Sequence, residues 1–92
     1  MIKSFRCKDT LALFETGKSR RWSSVLNVAE RKLIQLHAAR ELRDLVSPPG
    51  NRLEALQGNR QGEHSIRING RWRICFRWTI DGPEDVEITD YH

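Results

Sequence analysis

The stretch Glu63-His64-Ser65-Ile66-Arg67-Ile68-Asn69-Gly70-Arg71-Trp72-Arg73-Ile74-Cys75-Phe76-Arg77-Trp78 decides the fold. Apolar and polar residues alternate through it with period two, the pattern of strands that bury one face and leave the other open. The residues assigned to the open face are mostly arginine. A two-residue turn at Asn69-Gly70 would set Ile68 opposite Arg71 and Ile66 opposite Arg73, mixing apolar and basic residues on one side. Because side chains alternate, slipping the register by one residue exchanges the faces. With Asn69, Gly70 and Arg71 all in the connection, Ile68 faces Trp72, Ile66 faces Ile74 and His64 faces Phe76. The open face then pairs Arg67 with Arg73 and Glu63 with Arg77. The three-residue or bulged connection is therefore expected.

Like charges directly opposite across two strands cost roughly 0.2–1 kcal/mol. A fold that binds an anion between Arg67 and Arg73 recovers that cost; alternatively, Glu63 or Glu87 neutralises the pair. Past the hairpin, Asp81-Gly82-Pro83-Glu84 turns the chain into a last strand. There Val86 and Ile88 share the buried parity, while Glu87, Thr89 and Tyr91 share the arginine side. The alternation persists to Asp90-Tyr91, so the end of the strand is expected to be held, with His92 beside arginines and a tyrosine. A tethered imidazole there can transfer protons near neutral pH.

Working back towards the N-terminus, Arg52-Leu53-Glu54-Ala55-Leu56 reads as a short strand, followed by a polar loop from Gln57 to Gly62. Ser47-Pro48-Pro49-Gly50-Asn51 is a firm break, too short for a domain linker. Before it, Val28, Ala29, Leu33, Leu36 and Ala39 recur at helical spacing, predicting a main helix over 28–39 with a further helical turn to Leu45. Glu30, Arg31, Lys32 and Gln35 are assigned to its wet side. Asn27 and Glu30 fit a capping box, although some registers start the helix at Ser24. His37 lies near the stripe without a partner at metal-ligand spacing and is read as structural. Trp22, after the basic run Lys18-Ser19-Arg20-Arg21, either closes an edge of the core or touches RNA or a partner protein. Asp9 is expected to cap a short helix through Leu11, Leu13 and Phe14, stopped by Gly17. Ile2 to Arg6 reads as a first strand.

The chain has 92 residues, enough for one domain, 1–92, with a single modest core. No run is long enough to span a membrane, and no signal-peptide pattern opens the chain. Cys7 and Cys75 have neither CxxC spacing nor a histidine cluster, which disfavours a zinc site and suits reduced thiols in the cytoplasm. The formal net charge is +4. All of it arises between Arg52 and Trp78, where Arg52, Arg60, Arg67, Arg71, Arg73 and Arg77 face only Glu54 and Glu63. Guanidinium suits bidentate phosphate contacts and base stacking, which makes nucleic acid the first partner to consider; an ordinary solvated basic face is the alternative.

At these residues a family comes into view. Met1-Ile2-Lys3-Ser4-Phe5, Leu53-Glu54-Ala55-Leu56-Gln57-Gly58, Ser65-Ile66-Arg67-Ile68-Asn69, Trp72-Arg73-Ile74-Cys75-Phe76 and the terminal Asp90-Tyr91-His92 resemble the HigB-type toxins of the RelE/ParE toxin–antitoxin superfamily. Ser47 to Leu56 is similar to the GraT branch. The resemblance covers essentially the whole chain. It implies a compact α+β fold, with helices packed on one face of a small, mainly antiparallel sheet. It also implies a cytoplasmic endoribonuclease, needing no metal or other cofactor, that enters the A site of the 70S ribosome and cuts mRNA by attack of the 2′-hydroxyl on the adjacent phosphate. In that reading Arg67 and Arg73 hold the phosphate and His92 transfers a proton as acid or base. Tyr91 orients or stacks on the nucleotide, and Asp90 positions the terminus or tunes His92. Arg71 and Arg77 suit ribosomal RNA backbone contacts.

The implied partner is a HigA-type helix-turn-helix antitoxin, with operator DNA reached only through it. One departure is visible. Several members carry lysine where this chain has Gln57, and glutamine brings no charge and cannot act as a base. Unless Arg60 or Arg52 substitutes, a slower nuclease is expected. The competing readings are a ParE-like poison that binds gyrase without nuclease chemistry, and a non-catalytic basic module that binds RNA or the ribosome.

Overall fold

A computed structural model describes residues 1–90. Two helices, α1 (Lys8–Thr16) and α2 (Leu26–Ala38), precede four strands: β1 (Glu54–Ala55), β2 (His64–Arg67), β3 (Trp72–Thr79) and β4 (Gly82–Asp90). The strands form one antiparallel meander in chain order. Both helices lie on one face of it, so the architecture is α+β, as the alternating and helical periodicities predict.

The register follows the parity of the side chains. His64 pairs with Phe76, Ile66 with Ile74, and Arg67 with Arg73. The backbone N–H groups of Ile68 and Asn69 both donate to the carbonyl of Trp72, at 2.9 and 3.2 Å, which is the bulged connection that keeps Ile66, Ile68, Trp72 and Ile74 on one side. Asn69 closes the turn with its side chain, Oδ1 accepting from the N–H groups of Arg71 and Trp72 at 2.8 and 2.7 Å. On the core face Ile66, Ile74, Phe76, Val86 and Ile88 meet Leu13 of α1 and Ala29, Leu33 and Leu36 of α2. Trp22 is fully buried in this core, edge-on to Trp72 at 6.0 Å between ring centroids. Of the two alternatives, it closes the core.

Several local expectations are corrected. A short 3₁₀ turn, Ser23–Val25, feeds directly into α2, whose N-cap position is Val25 and carries no side-chain cap; the Asn27–Glu30 capping box does not form. The N-cap position of α1 is Cys7, and Asp9 falls in its first turn; Gly17 ends the helix in the left-handed conformation, as expected. The N-terminal segment makes only a parallel bridge, Phe5 to Val86, yet Lys3, Arg6 and Val86 donate backbone hydrogen bonds that close much of the outer edge of β4. The strand expected over 52–56 shrinks to two residues. The last turn falls at Ile80-Asp81, so Gly82 and Pro83 already belong to β4.

The largest change concerns Lys32. It was assigned to the wet side of the helix but is 6% exposed. Residues 29, 32, 33 and 36 follow the i, i+3, i+4, i+7 spacing of the buried stripe, and that spacing could have placed it there. His37 is structural: its Nδ1 accepts the backbone N–H of Ile2 at 3.1 Å.

Candidate active site

Arg67, last residue of β2, and Arg73, second residue of β3, face each other on the side of the sheet away from the helices. Each guanidinium is fastened by its Nε. Arg73 Nε donates to the hydroxyl of buried Ser65 at 2.7 Å, and one terminal nitrogen donates to the carbonyl of Arg52 at 2.7 Å and to that of Ser65 at 3.4 Å. The same nitrogen lies 3.4 Å from Glu54 of β1, and the Arg73 side chain is only 12% exposed. Arg67 Nε donates to the carbonyl of Asn69 at 3.2 Å. Among the described residues, the other terminal nitrogen of Arg73 and both terminal nitrogens of Arg67 have no hydrogen-bond partner. Anchoring at Nε fixes each guanidinium while leaving terminal N–H groups that suit the oxygens of a phosphate.

The backbone of Arg52 reaches Arg73 because the 47–52 loop is tied to α2. Gln35 Nε2 donates to the carbonyl of Ser47 at 2.7 Å, and its Oε1 accepts from Nδ2 of fully buried Asn51 at 3.1 Å. Arg52 then takes a positive φ of 44°. Lys32 approaches from the same helix, its Nζ donating to the carbonyl of Arg67 at 2.6 Å. Burial, foremost, and the positive charges of Arg31, Arg67 and Arg73 lower its proton affinity below the ordinary lysine value.

Glu63 and Glu87, the carboxylates expected as possible neutralisers, are committed elsewhere. Arg60 spans Glu63 at 3.2 Å and Glu87 at 2.8 Å, and Arg6 reaches the same two at 3.5 and 3.3 Å. Glu63 therefore pairs with Arg60 and Arg6 rather than with Arg77, and among the described residues Glu54 is the carboxylate that forms an ion pair with the Arg67–Arg73 pair. This ion-pair lid lies over the middle of the supposedly open face, above Cys75, whose cross-strand partners are Ser65 and Glu87. Burial, reinforced by Glu87 and Glu63 against the opposing charges of Arg60 and Arg73, pushes the Cys75 thiol up to about 11.

The other sequence-predicted residues divide. Asp90 stands opposite Trp72 at the end of β4, next in line to Thr89, which pairs with Arg73; it accepts a hydrogen bond from Arg71 Nε at 3.0 Å. Arg71 is 65% exposed and lies over the Trp72 ring at 4.7 Å. Arg77 faces Glu84 in the register and packs its guanidinium against the backbone of Gly62. Gln57 is exposed at the start of the 3₁₀ turn Gly58–Arg60. Arg60 is held in its two ion pairs. Tyr91 and His92 lie outside the described residues. Ser65, Glu54 and Lys32 are site neighbours that the sequence reading missed. Ser65 was detectable from the hairpin register alone, since it shares a face with Arg67 and Arg73; Glu54 was not, because the pairing of β1 with β2 was not predicted.

A small α+β domain whose meander carries a guanidinium pair on the face opposite its helices has the build of a RelE-like toxin. Residues 3–92 match the family described as the RelE-like toxin of the type II toxin-antitoxin system HigB. The chain is similar to Toxin HigB-1 of Vibrio cholerae serotype O1, with 43% identity over 84 residues that cover 89% of this chain and 87% of the relative. It is 31% identical over 96 residues to Endoribonuclease HigB of Proteus vulgaris, each chain covered in full. The chain belongs to the HigB-like toxin family, and such a toxin has an antitoxin as its partner. Among the described residues, no helix is long and apolar enough to cross a membrane.

Proposed function

We propose that this toxin is a ribosome-dependent mRNA endoribonuclease whose Arg67 and Arg73 hold the scissile phosphate. The observation that carries the reading is the facing pair itself: two guanidiniums anchored at Nε, with terminal N–H groups left over and two nearby carboxylates committed to other arginines. In the reaction the 2′-oxygen bonds to the adjacent phosphorus, the bond to the 5′-oxygen breaks, and a 2′,3′-cyclic phosphate and a 5′-hydroxyl result. Negative charge grows on the non-bridging oxygens, where positioned cations lower the barrier most. One proton must leave the 2′-hydroxyl and one must reach the 5′-oxygen. His37 accepts the backbone N–H of Ile2, and His64 stacks on Phe76 on the core side of the sheet, so neither faces the pair. Proton transfer is assigned to His92, as the family resemblance implies. Tyr91 orients the nucleotide and Asp90 steadies the chain end.

Arg52, Gln57, Arg71 and Arg77 supply RNA backbone contacts around the site. Arg60 is assigned to the lid instead, so it does not replace the lysine absent at position 57. The antitoxin is of the helix-turn-helix HigA type, it alone contacts operator DNA, and the toxin acts in the cytoplasm.

Wild type, Arg67→Ala, Arg73→Ala and His92→Ala are expressed in cells and the 5′ ends of mRNA mapped. Codon-spaced cleavage should appear for the wild type and fall by about a hundredfold or more in each variant, the usual loss for a positioned charge-stabilising donor. Growth arrest that survives in His92→Ala without any cleavage would identify a gyrase-binding or other binding poison instead.

A further inference from the structure

Lys32 is a buried ammonium on the core stripe of α2 that, among the described residues, has no carboxylate partner. Its hydrogen bond goes to a neutral acceptor, the carbonyl of Arg67, at 2.6 Å. A charge drawn partly out of water and given a single neutral partner keeps part of its desolvation penalty, and leucine or methionine would occupy the same stripe at lower cost. The charged groups around it make the position less favourable still, because Arg31, Arg67 and Arg73 are all cations. Following the contacts outward, among the described residues, Lys32, Arg67 and Arg73 meet a single carboxylate, Glu54, which is half exposed and reaches Arg73. A strut for the end of β2 needs a donor but no charge. A site that receives an anion needs the charge.

We propose that Lys32 is a third cation of the phosphate site, positioning Arg67 through its backbone carbonyl and adding its own charge when a phosphodiester binds. This rests on the reading of Arg67 and Arg73 as phosphate ligands. Lys32 acts from behind the strand, so its contribution reaches the RNA through Arg67 and through the electrostatic potential of the cluster. An anion bound between the arginines stabilises the charged ammonium, and the ammonium in return tightens the anion.

The test uses the full chain with inorganic phosphate and with an RNA trinucleotide that is 2′-O-methylated and therefore cannot be cleaved. Lys32→Met should melt at or above the wild-type temperature without anion, lose most of the melting-temperature rise that phosphate gives the wild type, and bind the trinucleotide about tenfold more weakly, as expected when a nearby positive charge is removed from a partly desolvated cluster. In the wild type, NMR titration of the Lys32 side chain should show its proton affinity rise when the trinucleotide saturates the site. That measurement decides the matter even where the variant folds poorly. Unchanged trinucleotide affinity in Lys32→Met, or an unmoved Lys32 titration, would reduce the lysine to a strut. Arg67→Ala and Arg73→Ala separate the two levels. If both bind the trinucleotide as wild type does, the phosphate site itself is misread; if both fail while Lys32→Met binds normally, only the role of Lys32 falls.

Discussion

Arg73 illustrates how much a single side chain depends on its neighbours. Its charge and face can be read from the alternation around it, but the three acceptors that aim its guanidinium come from β1, β2 and the loop before β1. Cys75, two residues on, shares that face and lies beneath the Arg60 and Arg6 ion pairs. Its buried thiol holds its proton up to about 11, against 9.0 for an ordinary thiol. The folded state thus binds the proton more tightly than the unfolded chain. The associated stability is present in full below pH 9.0 and is lost as pH rises from 9.0 to about 11. Two pH units correspond to at most about 3 kcal/mol. Lys32 acts in the opposite sense, its lowered proton affinity adding stability as pH climbs towards the ordinary lysine value of 10.5. The clean measurement is therefore a difference. In urea unfolding between pH 8 and 11, Cys75→Ser should lose less stability with rising pH than the wild type, and parallel curves would refute burial as the cause of the thiol's shift.

At the scale of elements, the β2–β3 hairpin carries the site and Asn69 sets its connection. The asparagine's Oδ1 holds two backbone N–H groups, and its carbonyl accepts from Arg67. Asn69→Ala should cost about 1–2 kcal/mol in equilibrium unfolding, for two lost hydrogen bonds in a partly solvated turn, and should weaken RNA cleavage by loosening the turn whose backbone carbonyl holds Arg67. A variant with wild-type stability would mean that the bulge is held by strand pairing alone. The hairpin register was legible because a one-residue slip would bury arginine and expose isoleucine, a difference far larger than any turn preference. The start of α2 was not. Asn27 and Glu30 carry a capping signature, but Ser23–Val25 already winds into the helix and leaves no free first turn for them to cap. Lys32 was misplaced for a related reason: polar identity outweighed its stripe spacing, and its acceptor lies 35 residues away in sequence.

Across the whole molecule, the N-terminal segment meets the first half of β4 at the outer edge of the sheet. Lys3 donates its backbone N–H to Pro83, Arg6 to Val86 and Val86 to Ser4, and Thr10 of α1 accepts from the N–H of Ile88 at 3.0 Å, so β4 presents few unpaired groups for edge-to-edge association. Gly82 lets the N-terminal backbone approach. Its φ is 129°, and a Cβ there would collide with the carbonyl oxygen of Met1. Gly82→Ala should lower stability by about 1–3 kcal/mol through that strain and clash and promote aggregation by loosening the edge. Thermal melts and light scattering on the purified toxin check both effects, and a variant that melts and scatters like the wild type would show that the N-terminal segment simply moves aside.

The sequence by itself determined the α+β class, the strand register, the face on which the arginines stand and the pairing of Arg67 with Arg73. All of these follow from the period of the hydrophobic pattern, a local property that core burial enforces. Tertiary structure decided which carboxylates neutralise which arginines, that Arg60 closes a lid over Cys75, and that Lys32 reaches the back of the Arg67–Arg73 pair. Those outcomes depend on groups brought together from distant parts of the chain, where distance and desolvation, rather than residue type, set the energy of each charge.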